Sequence, residues 1–579
     1  MRGVEPLLAG RLFLLLAALL FPALSVHGQA LPTIDFTGKP GEKRPELLED
    51  IQRPTLPTLT LPSPAAPTMD NASPFVKSFF VKKIVVAGST VFSPEEIARV
   101  TAPYENRNLT MEGLESLRRE LTLLYVSRGY INSGAVIPDQ TVTDGQLALR
   151  IVEGKLSQIT IEGNRWFGES YLRDRIALGA GVPVNILRLQ DRLRLMQQDP
   201  RIERIHAELR PGAIPGESEL KVRVVEKSPF SVGMAFNNYQ SPSIGAETGL
   251  FTFADQNLTG HGDVLSFTYG YSRGVNPLID TWYAAPVNAY DTTLSFRYRN
   301  TDQKVVDGVF APLDIVSKTE SFEVALRQPV YRTLSQELTL SLSLQPEEEK
   351  TYLLGEPFSF SPGMENGKGI AAPLRFGQEW IYRSQRQVIA ARSRFSFGLD
   401  IMGATTNAES NVPDGRFFAW LGQFQWVRVL DFLDMQLMAR TDIQLSADPL
   451  LPIEQMGVGG RYTVRGYREN LLTWDEVFIA SLETRIPLVQ NERWAEYLQV
   501  APFFDYGWGR DKGIPTIGPT NISSIGAGLR WGASLIKSPL QLRSDAEIYW
   551  GYQLRTVPDT GGNLQDDGIS FQIAVSAVF

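Results

Sequence analysis

From Phe230 to the end of the chain, apolar and polar positions alternate. Leu540, Leu542, Ser544, Ala546, Ile548 and Trp550 share one face of an extended strand, with Gln541, Arg543, Asp545, Glu547 and Tyr549 on the other. The same split sets Leu338, Leu340, Leu342 and Leu344 against Thr339, Ser341 and Ser343. It recurs with Leu294, Phe296 and Tyr298 against Ser295, Arg297 and Arg299, and with Ile525, Ala527, Leu529 and Trp531 against Gly526, Gly528 and Arg530. A period of two predicts β-strands. The charged row is excluded from hydrocarbon and the apolar row is disfavoured in water, so each strand wants lipid outside and a wet lumen inside. About sixteen such segments fit between residues 228 and 579. The predicted fold is mainly β: a transmembrane antiparallel β-barrel. Arg-rich inner faces, with Trp and Tyr at strand ends, argue against a soluble sandwich. The last strand runs Ile569, Phe571, Ile573, Val575, Ala577, Phe579 and stops inside its own pattern, as a strand that closes a cylinder on the first one would.

Before the barrel the pattern changes to a repeat. Ile84-Val85-Val86-Ala87-Gly88 returns as Ile159-Thr160-Ile161-Glu162-Gly163, from 84 to 159, an offset of 75. Leu147-Ala148-Leu149-Arg150-Ile151-Val152-Glu153 returns as Leu220-Lys221-Val222-Arg223-Val224-Val225-Glu226, from 147 to 220, an offset of 73. Helical signals lie between. Ser93-Pro94-Glu95-Glu96 reads as a capping box with Pro at the first helical position. Leu114, Leu117, Leu121 and Leu124 keep a helical period, and Gly129 suits a C-terminal cap, so Arg128-Gly129-Tyr130 reads as a helix end. Each unit reads strand, helix, helix, strand, strand, giving α+β domains over 79–154 and 155–227.

The chain opens MRGVEPLLAGRLFLLLAALLFPALSVHGQA. Arg2 and Arg11 precede an apolar core from Leu12 to Leu24, and Gly28 and Ala30 fit a small-residue cleavage site. Residues 1–30 therefore read as a secretory signal peptide, too short to span a bilayer comfortably. Residues 31–78 are Pro-rich, the composition of an extended linker, with a short helical pattern at Pro45–Ile51.

Composition narrows the chemistry. The 579 residues carry a net charge of −8 and no cysteine. Disulfide, thiol and Cys-metal chemistry are absent, and the acidic balance disfavours nucleic acid as the main partner. With the three histidines His27, His206 and His261 scattered, only an all-carboxylate calcium site stays open, and no metal or cofactor is assigned. No P-loop appears. Gly270-Tyr271-Ser272-Arg273-Gly274 matches the hydrolase elbow pattern, yet it ends a barrel-type strand and no histidine follows it. No catalytic residue is assigned.

Two motifs remain: Val464-Arg465-Gly466-Tyr467, between predicted strands eleven and twelve, and Phe503-Phe504-Asp505-Tyr506-Gly507, on strand thirteen. With the repeats and the barrel, they resemble the two-partner secretion transporters of the hemolysin and filamentous-haemagglutinin exporter type. That family belongs to the outer-membrane assembly and translocation superfamily, and the repeats resemble its polypeptide-transport-associated (POTRA) domains. The resemblance covers nearly the whole chain after residue 30. It implies that the loop, about 447–476, folds into the lumen and that Arg465 pairs with Asp505. Val464, Gly466, Tyr467, Phe503 and Gly507 complete that lock. The chemistry agrees: a guanidinium out of bulk water favours a bidentate carboxylate, and glycine lets the loop turn where a Cβ would clash.

The resemblance further implies a Gram-negative outer-membrane location with the POTRA domains in the periplasm. It implies export of an unfolded TpsA-type exoprotein (a hemolysin, adhesin or toxin) without ATP. Outer-membrane lipid is a further partner, as is the barrel-assembly machinery that inserts the protein, with Phe571 and Phe579 as the carboxy-terminal barrel signal. Strand addition to a POTRA sheet would recognise the client, with Leu147–Val152 and Leu220–Val225 as receiving strands. Two other readings compete. An assembly insertase of the same superfamily shares the loop motif but usually carries more repeats, and a passive porin explains neither repeats nor loop. The family's plug helix corresponds to Pro45–Ile51. Deleting these residues is expected to raise single-channel conductance in planar bilayers, and unchanged traces would remove the plug.

Overall fold

The computed structural model describes residues 58–60, 78–409, 411–513, 515–516, 518–536, 541–557 and 562–579. The signal-peptide reading and the Pro45–Ile51 helix lie outside the described residues.

Each repeat folds around its own apolar core. In the first, Lys83–Ala87 lies parallel to Gln146–Val152, which pairs antiparallel with Gly134–Val136. Helix Met111–Ser127 covers this sheet with Leu114, Leu117, Leu121 and Tyr125 buried, as the helical spacing requires. Helix Pro94–Thr101 starts on the capping box: Glu96 N donates to Ser93 Oγ and Ser93 N donates to Glu96 Oε2. Gly129, at φ +89°, ends the longer helix, with Tyr130 N donating to Tyr125 O. One further pair, Ser78–Val81 with Arg107–Thr110, adds a small sheet that the repeat pattern does not announce.

The second repeat places Glu217–Glu226 between Lys155–Glu162, parallel, and Ile202–Pro211, antiparallel. Helices Glu169–Ala177 and Ile186–Gln197 bury Leu172, Ile176, Leu189 and Leu193 against it. The glutamate that closes each repeated motif has a job. Glu153 accepts from Thr90 N and Thr90 Oγ1, and Glu226 accepts from the backbone N–H groups of Arg165, Trp166 and Phe167. Each carboxylate thereby ties the turn after the first long strand to the last strand of its domain.

The receiving strands expected for a client need correction. Gln146–Val152 and Glu217–Glu226, which contain Leu147–Val152 and Leu220–Val225, are interior strands paired on both sides. An interior strand has no free N–H or C=O row to offer. The edges of the second sheet are Lys155–Glu162 and the short strand Thr58–Thr60, which pairs in parallel with only three residues of Ile202–Pro211, Thr58 opposite His206 and Thr60 opposite Glu208, and leaves the rest of that strand's outer side without a neighbouring strand among the described residues.

From Phe230 on, the described residues form a closed antiparallel barrel of sixteen strands. The first, Phe230–Asn237, pairs with the sixteenth, Ile569–Val578, from Ser231 opposite Val578 to Asn237 opposite Gln572. Burial is inverted relative to a water-soluble protein. Phe236, Phe296, Leu342, Phe504, Ile525 and Trp550 are exposed outward, while Arg375, Asp442, Glu483, Asp505 and Arg530 are buried inward. A cylinder with a lipid-facing wall and a polar interior requires that inversion. Among the described residues no helix is long and apolar enough to cross a membrane. Ser272 of the elbow-like motif ends the third strand, Val264–Ser272. Its hydroxyl donates to Ile244 O and accepts from Val275 N, so it is a turn residue.

The second repeat grips the barrel rim. Arg175 donates through Nε and Nη2 to Asp291 Oδ1, at 2.9 and 2.7 Å, and through Nη2 to Asn288 O. Arg201, held by Asp199, donates to the carbonyls of Gln256 and Gly262 at 2.7 and 2.8 Å. Gly168 N donates to Gly260 O at 2.7 Å. Burial disfavours the charged form of Asp199, but Arg201 outweighs it and holds the carboxyl below its usual range. Hydrogen bonds to charged groups contribute about 1.5–3 kcal/mol each. The double variant Arg175→Ala/Arg201→Ala is therefore expected to speed amide exchange about tenfold or more in turns 256–263 and 287–292, with residues 83–152 unchanged. Exchange mass spectrometry of the full-length protein checks this.

Candidate functional site in the barrel lumen

The site lies on the inner wall of three strands: the twelfth, Glu476–Glu492, the thirteenth, Ala495–Arg510, and the fifteenth, Gln541–Gln553. The eleventh strand, Gln436–Ser446, ends and the chain enters a long loop before Glu476. The loop turns back into the lumen because its apolar residues have nowhere else to go. Met456–Val458 pairs with Leu472–Trp474 as a short ribbon. Met456, Val458, Val464, Tyr467 and Trp474 pack with Val477, Ile479 and Ile522 of the wall into one buried cluster. Gly507 and Gly509 make the floor for it. A Cβ on Gly507 would sit 2.7 Å from Val458 Cγ1 and 2.9 Å from Val464 Cγ2, and one on Gly509 would sit 2.1 Å from Trp474.

At the loop tip, Arg465 is 3% exposed and Asp505 is fully buried. Arg465 Nε and Nη2 donate to the two oxygens of Asp505 at 2.7 and 2.9 Å, and the Arg465 backbone N–H donates to Oδ2 at 3.0 Å. Nη1 reaches Glu483 Oε2, and Nη2 lies 3.1 Å from Ser481 Oγ. Ser481 itself donates to Asp505 Oδ1 at 2.6 Å. Strand pairing explains the convergence: Ser481 stands opposite Asp505, so both point inward at the same height. The guanidinium is capped by the Phe503 ring at 3.7 Å and the Tyr549 ring at 5.1 Å. Charge is balanced beyond the pair, since Arg485 Nε donates to Glu483 Oε1 at 2.7 Å.

Gly466 and Tyr467 set the tip's depth. Gly466 has φ +88°, and a Cβ there would lie 2.7 Å from Gly551 O. A Cβ on Gly551 would in turn meet the Gly466 Cα at 2.8 Å, so backbone rests on backbone. Gln553 Nε2 donates to Gly466 O at 2.9 Å. The Tyr467 hydroxyl lies 2.9 and 2.7 Å from the carbonyl oxygens of Ser523 and Arg555, within donating distance of each. Nearer the loop base, Glu454 takes two bonds of 2.7 Å from Arg375 Nη2.

The structure thus gathers Val464, Arg465, Gly466, Tyr467, Phe503, Asp505 and Gly507 in one site. Phe571 and Phe579 lie elsewhere, on the closing strand: Phe571 packs near Phe236 and Phe579 N donates to Phe230 O. Sequence reasoning did not single out Ser481, Glu483, Tyr549, Gly551 and Gln553. Strand parity alone puts each on the inner face, but many residues share that parity.

The fold and site define a class: an outer-membrane transporter built of a strand-crossed barrel, a loop folded into its lumen, and periplasmic POTRA-type domains. Residues 216–531 match the haemolysin secretion/activation protein ShlB/FhaC/HecB, and residues 79–154 match the ShlB-type POTRA domain. The chain belongs to the ShlB/FhaC/HecB family. It is 24% identical over 402 residues to the outer membrane transporter CdiB of Dickeya dadantii, covering 68% of this chain and 69% of that protein. It is 23% identical over 435 residues to the hemolysin transporter protein ShlB of Serratia marcescens, covering 72% and 73%. The solved CdiB of Escherichia coli shares the fold, with a TM-score of 0.65, 20% identity and coverage of 91% of this chain and 95% of that one.

Removing one partner of a buried ion pair costs about 3–5 kcal/mol, because the other charge stays buried and alone. Arg465→Ala leaves Asp505 in that state, while Glu483 keeps Arg485. The variant is expected to keep a folded, heat-modifiable barrel while residues 447–475 become sensitive to limited proteolysis. Gly551→Val removes no charge and is expected to release the loop in the same assay by displacing Gly466.

Proposed function

We propose that this protein exports one dedicated, unfolded exoprotein of the TpsA type from the periplasm through its barrel. The observation that carries the reading is the buried Arg465–Asp505 pair, which holds a loop across a wet lumen beneath two periplasmic repeats. A passive pore has no use for a charge-paired obstruction or for docking domains. Val464, Arg465, Gly466, Tyr467, Phe503, Asp505 and Gly507 act as a lock that keeps the loop inside the lumen.

Residues 155–227 are assigned as a second POTRA domain. The client docks by strand addition along the outer side of Ile202–Pro211, where Thr58–Thr60 occupies only three positions. Energy comes from the client, whose folding outside biases its motion outward. Residues 1–30 direct export of the transporter, and Phe571 and Phe579 mark its last strand for the barrel-assembly machinery.

The test is a comparison of secreted and outer-membrane proteomes with and without this protein. Loss of one large protein from the medium or cell surface, with other barrels unchanged, is expected. A broad fall in outer-membrane barrels would replace export with assembly of other barrels as the function. Arg465→Ala is expected to reduce secretion of that client severely at normal transporter abundance, and normal secretion would remove the lock from the transport cycle.

A further inference from the structure

The regular pairing between the first and last strands ends at Asn237 opposite Gln572, with one further backbone bond from Asn238 N to Phe571 O at 3.3 Å. Side chains extend it. Asn238, 1% exposed, accepts from Phe571 N at 2.8 Å through Oδ1 and donates to Ile569 O at 2.9 Å through Nδ2. The next rung is Gln565, 3% exposed, in the segment that joins strands fifteen and sixteen. Its Nε2 donates to the carbonyls of Asn238 and Gln240, at 2.6 and 2.7 Å. Its Oε1 accepts from Glu469 N at 2.9 Å. Glu469 belongs to the inward loop, four residues beyond Arg465. One buried amide therefore has its donor end on the first strand's exit and its acceptor end on the loop.

Two other links run in parallel. Arg461 of the loop makes two bonds of 3.0 Å to Glu547 of strand fifteen, and Glu547 accepts from the Tyr239 hydroxyl at 2.8 Å. The Tyr239 and Tyr462 rings meet edge to face at 5.5 Å. Arg468 pairs with Asp566, next to Gln565, with Nη2 to Oδ2 at 2.7 Å. The loop thus reaches both sides of the barrel's closing seam at its outer end.

We infer that Gln565 is a positioning residue of the transport cycle, coupling the inward loop to the seam, so that withdrawal of the loop frees the outer ends of the first and last strands. The physical reason is the cost of an orphaned buried amide. Once Glu469 leaves, the Gln565 acceptor is unpaired, and the side chain favours a turn toward water over its two seam carbonyls. The inference rests on the loop moving during transport, but its test uses the purified full-length protein and needs no client.

Gln565→Glu separates the two halves of the amide. It keeps an acceptor for Glu469 N and presents a carboxylate oxygen to the carbonyls of Asn238 and Gln240, so it breaks the seam contact and spares the loop contact. In amide-exchange measurements, Gln565→Glu is expected to speed exchange about tenfold or more in residues 569–573. Residues 575–578 and the protease resistance of 447–475 should stay as in the parent. Arg465→Ala is expected to speed both regions. Because the chain has no cysteine, the pair Phe236→Cys/Ile573→Cys, opposite each other on the outer face, adds one disulfide across the seam. Oxidation should restore slow exchange to Gln565→Glu, and a reductant should reverse it. Unchanged exchange at 569–573 in either Gln565→Glu or Arg465→Ala would overturn the coupling, whatever the outcome for secretion. Should Gln565→Glu fail to give a heat-modifiable barrel, Gln565→Leu removes both contacts at once, and unchanged exchange at 569–573 in it or in Arg465→Ala overturns the coupling.

Discussion

A guanidinium buried inside a membrane barrel has to be answered by a carboxylate, and much of the loop's architecture follows from that demand. Arg465 is fixed at six points, by both oxygens of Asp505, by Glu483, by Ser481 and by the faces of two aromatic rings. Each contact comes from a strand whose height in the barrel is set by the pairing ladder. The lock is therefore as accurate as the barrel's register, and a one-residue slip would turn Asp505 out into lipid and Phe504 in. The same alternation that lets the wall face hydrocarbon thus specifies the position of the chemistry inside it.

The fold was legible in the sequence where periodicity is strict. Strands such as that around Leu294 and Arg297 announce two unlike faces, and the capping box at Ser93 and the Gly129 cap mark helix ends by local chemistry alone. The repeat offsets announce a recurring strand and helix pattern ahead of the barrel. What the pattern could not convey is pairing order: Leu147–Val152 and Leu220–Val225 look like any apolar strands, and only the tertiary structure puts them in the middle of their sheets. Edge or interior is a property of neighbours, which a single strand's composition does not encode.

The site was legible in part for a similar reason. Val464 to Tyr467 and Phe503 to Gly507 stand out as motifs, whereas Ser481, Glu483 and Tyr549 are ordinary inward-facing residues until the ladder brings them beside Arg465. Gly551 is the sharpest case. A glycine in a barrel strand usually signals a bend or a close approach, and only the seated loop shows that the approaching atom is the Gly466 Cα.

The three-residue strand at Thr58–Thr60 has a quantitative consequence for selectivity. It is part of the same chain as the edge it occupies, so its effective concentration there is on the order of millimolar, as for short tethers. An incoming polypeptide that matched only those three rungs would have to reach that concentration to compete. A polypeptide that pairs along more of Ile202–Pro211 gains rungs the tethered strand does not use. A client docking there as proposed would be selected for length of extended chain before it is selected for side chains. Such a filter would favour an unfolded polymer over the folded proteins around it.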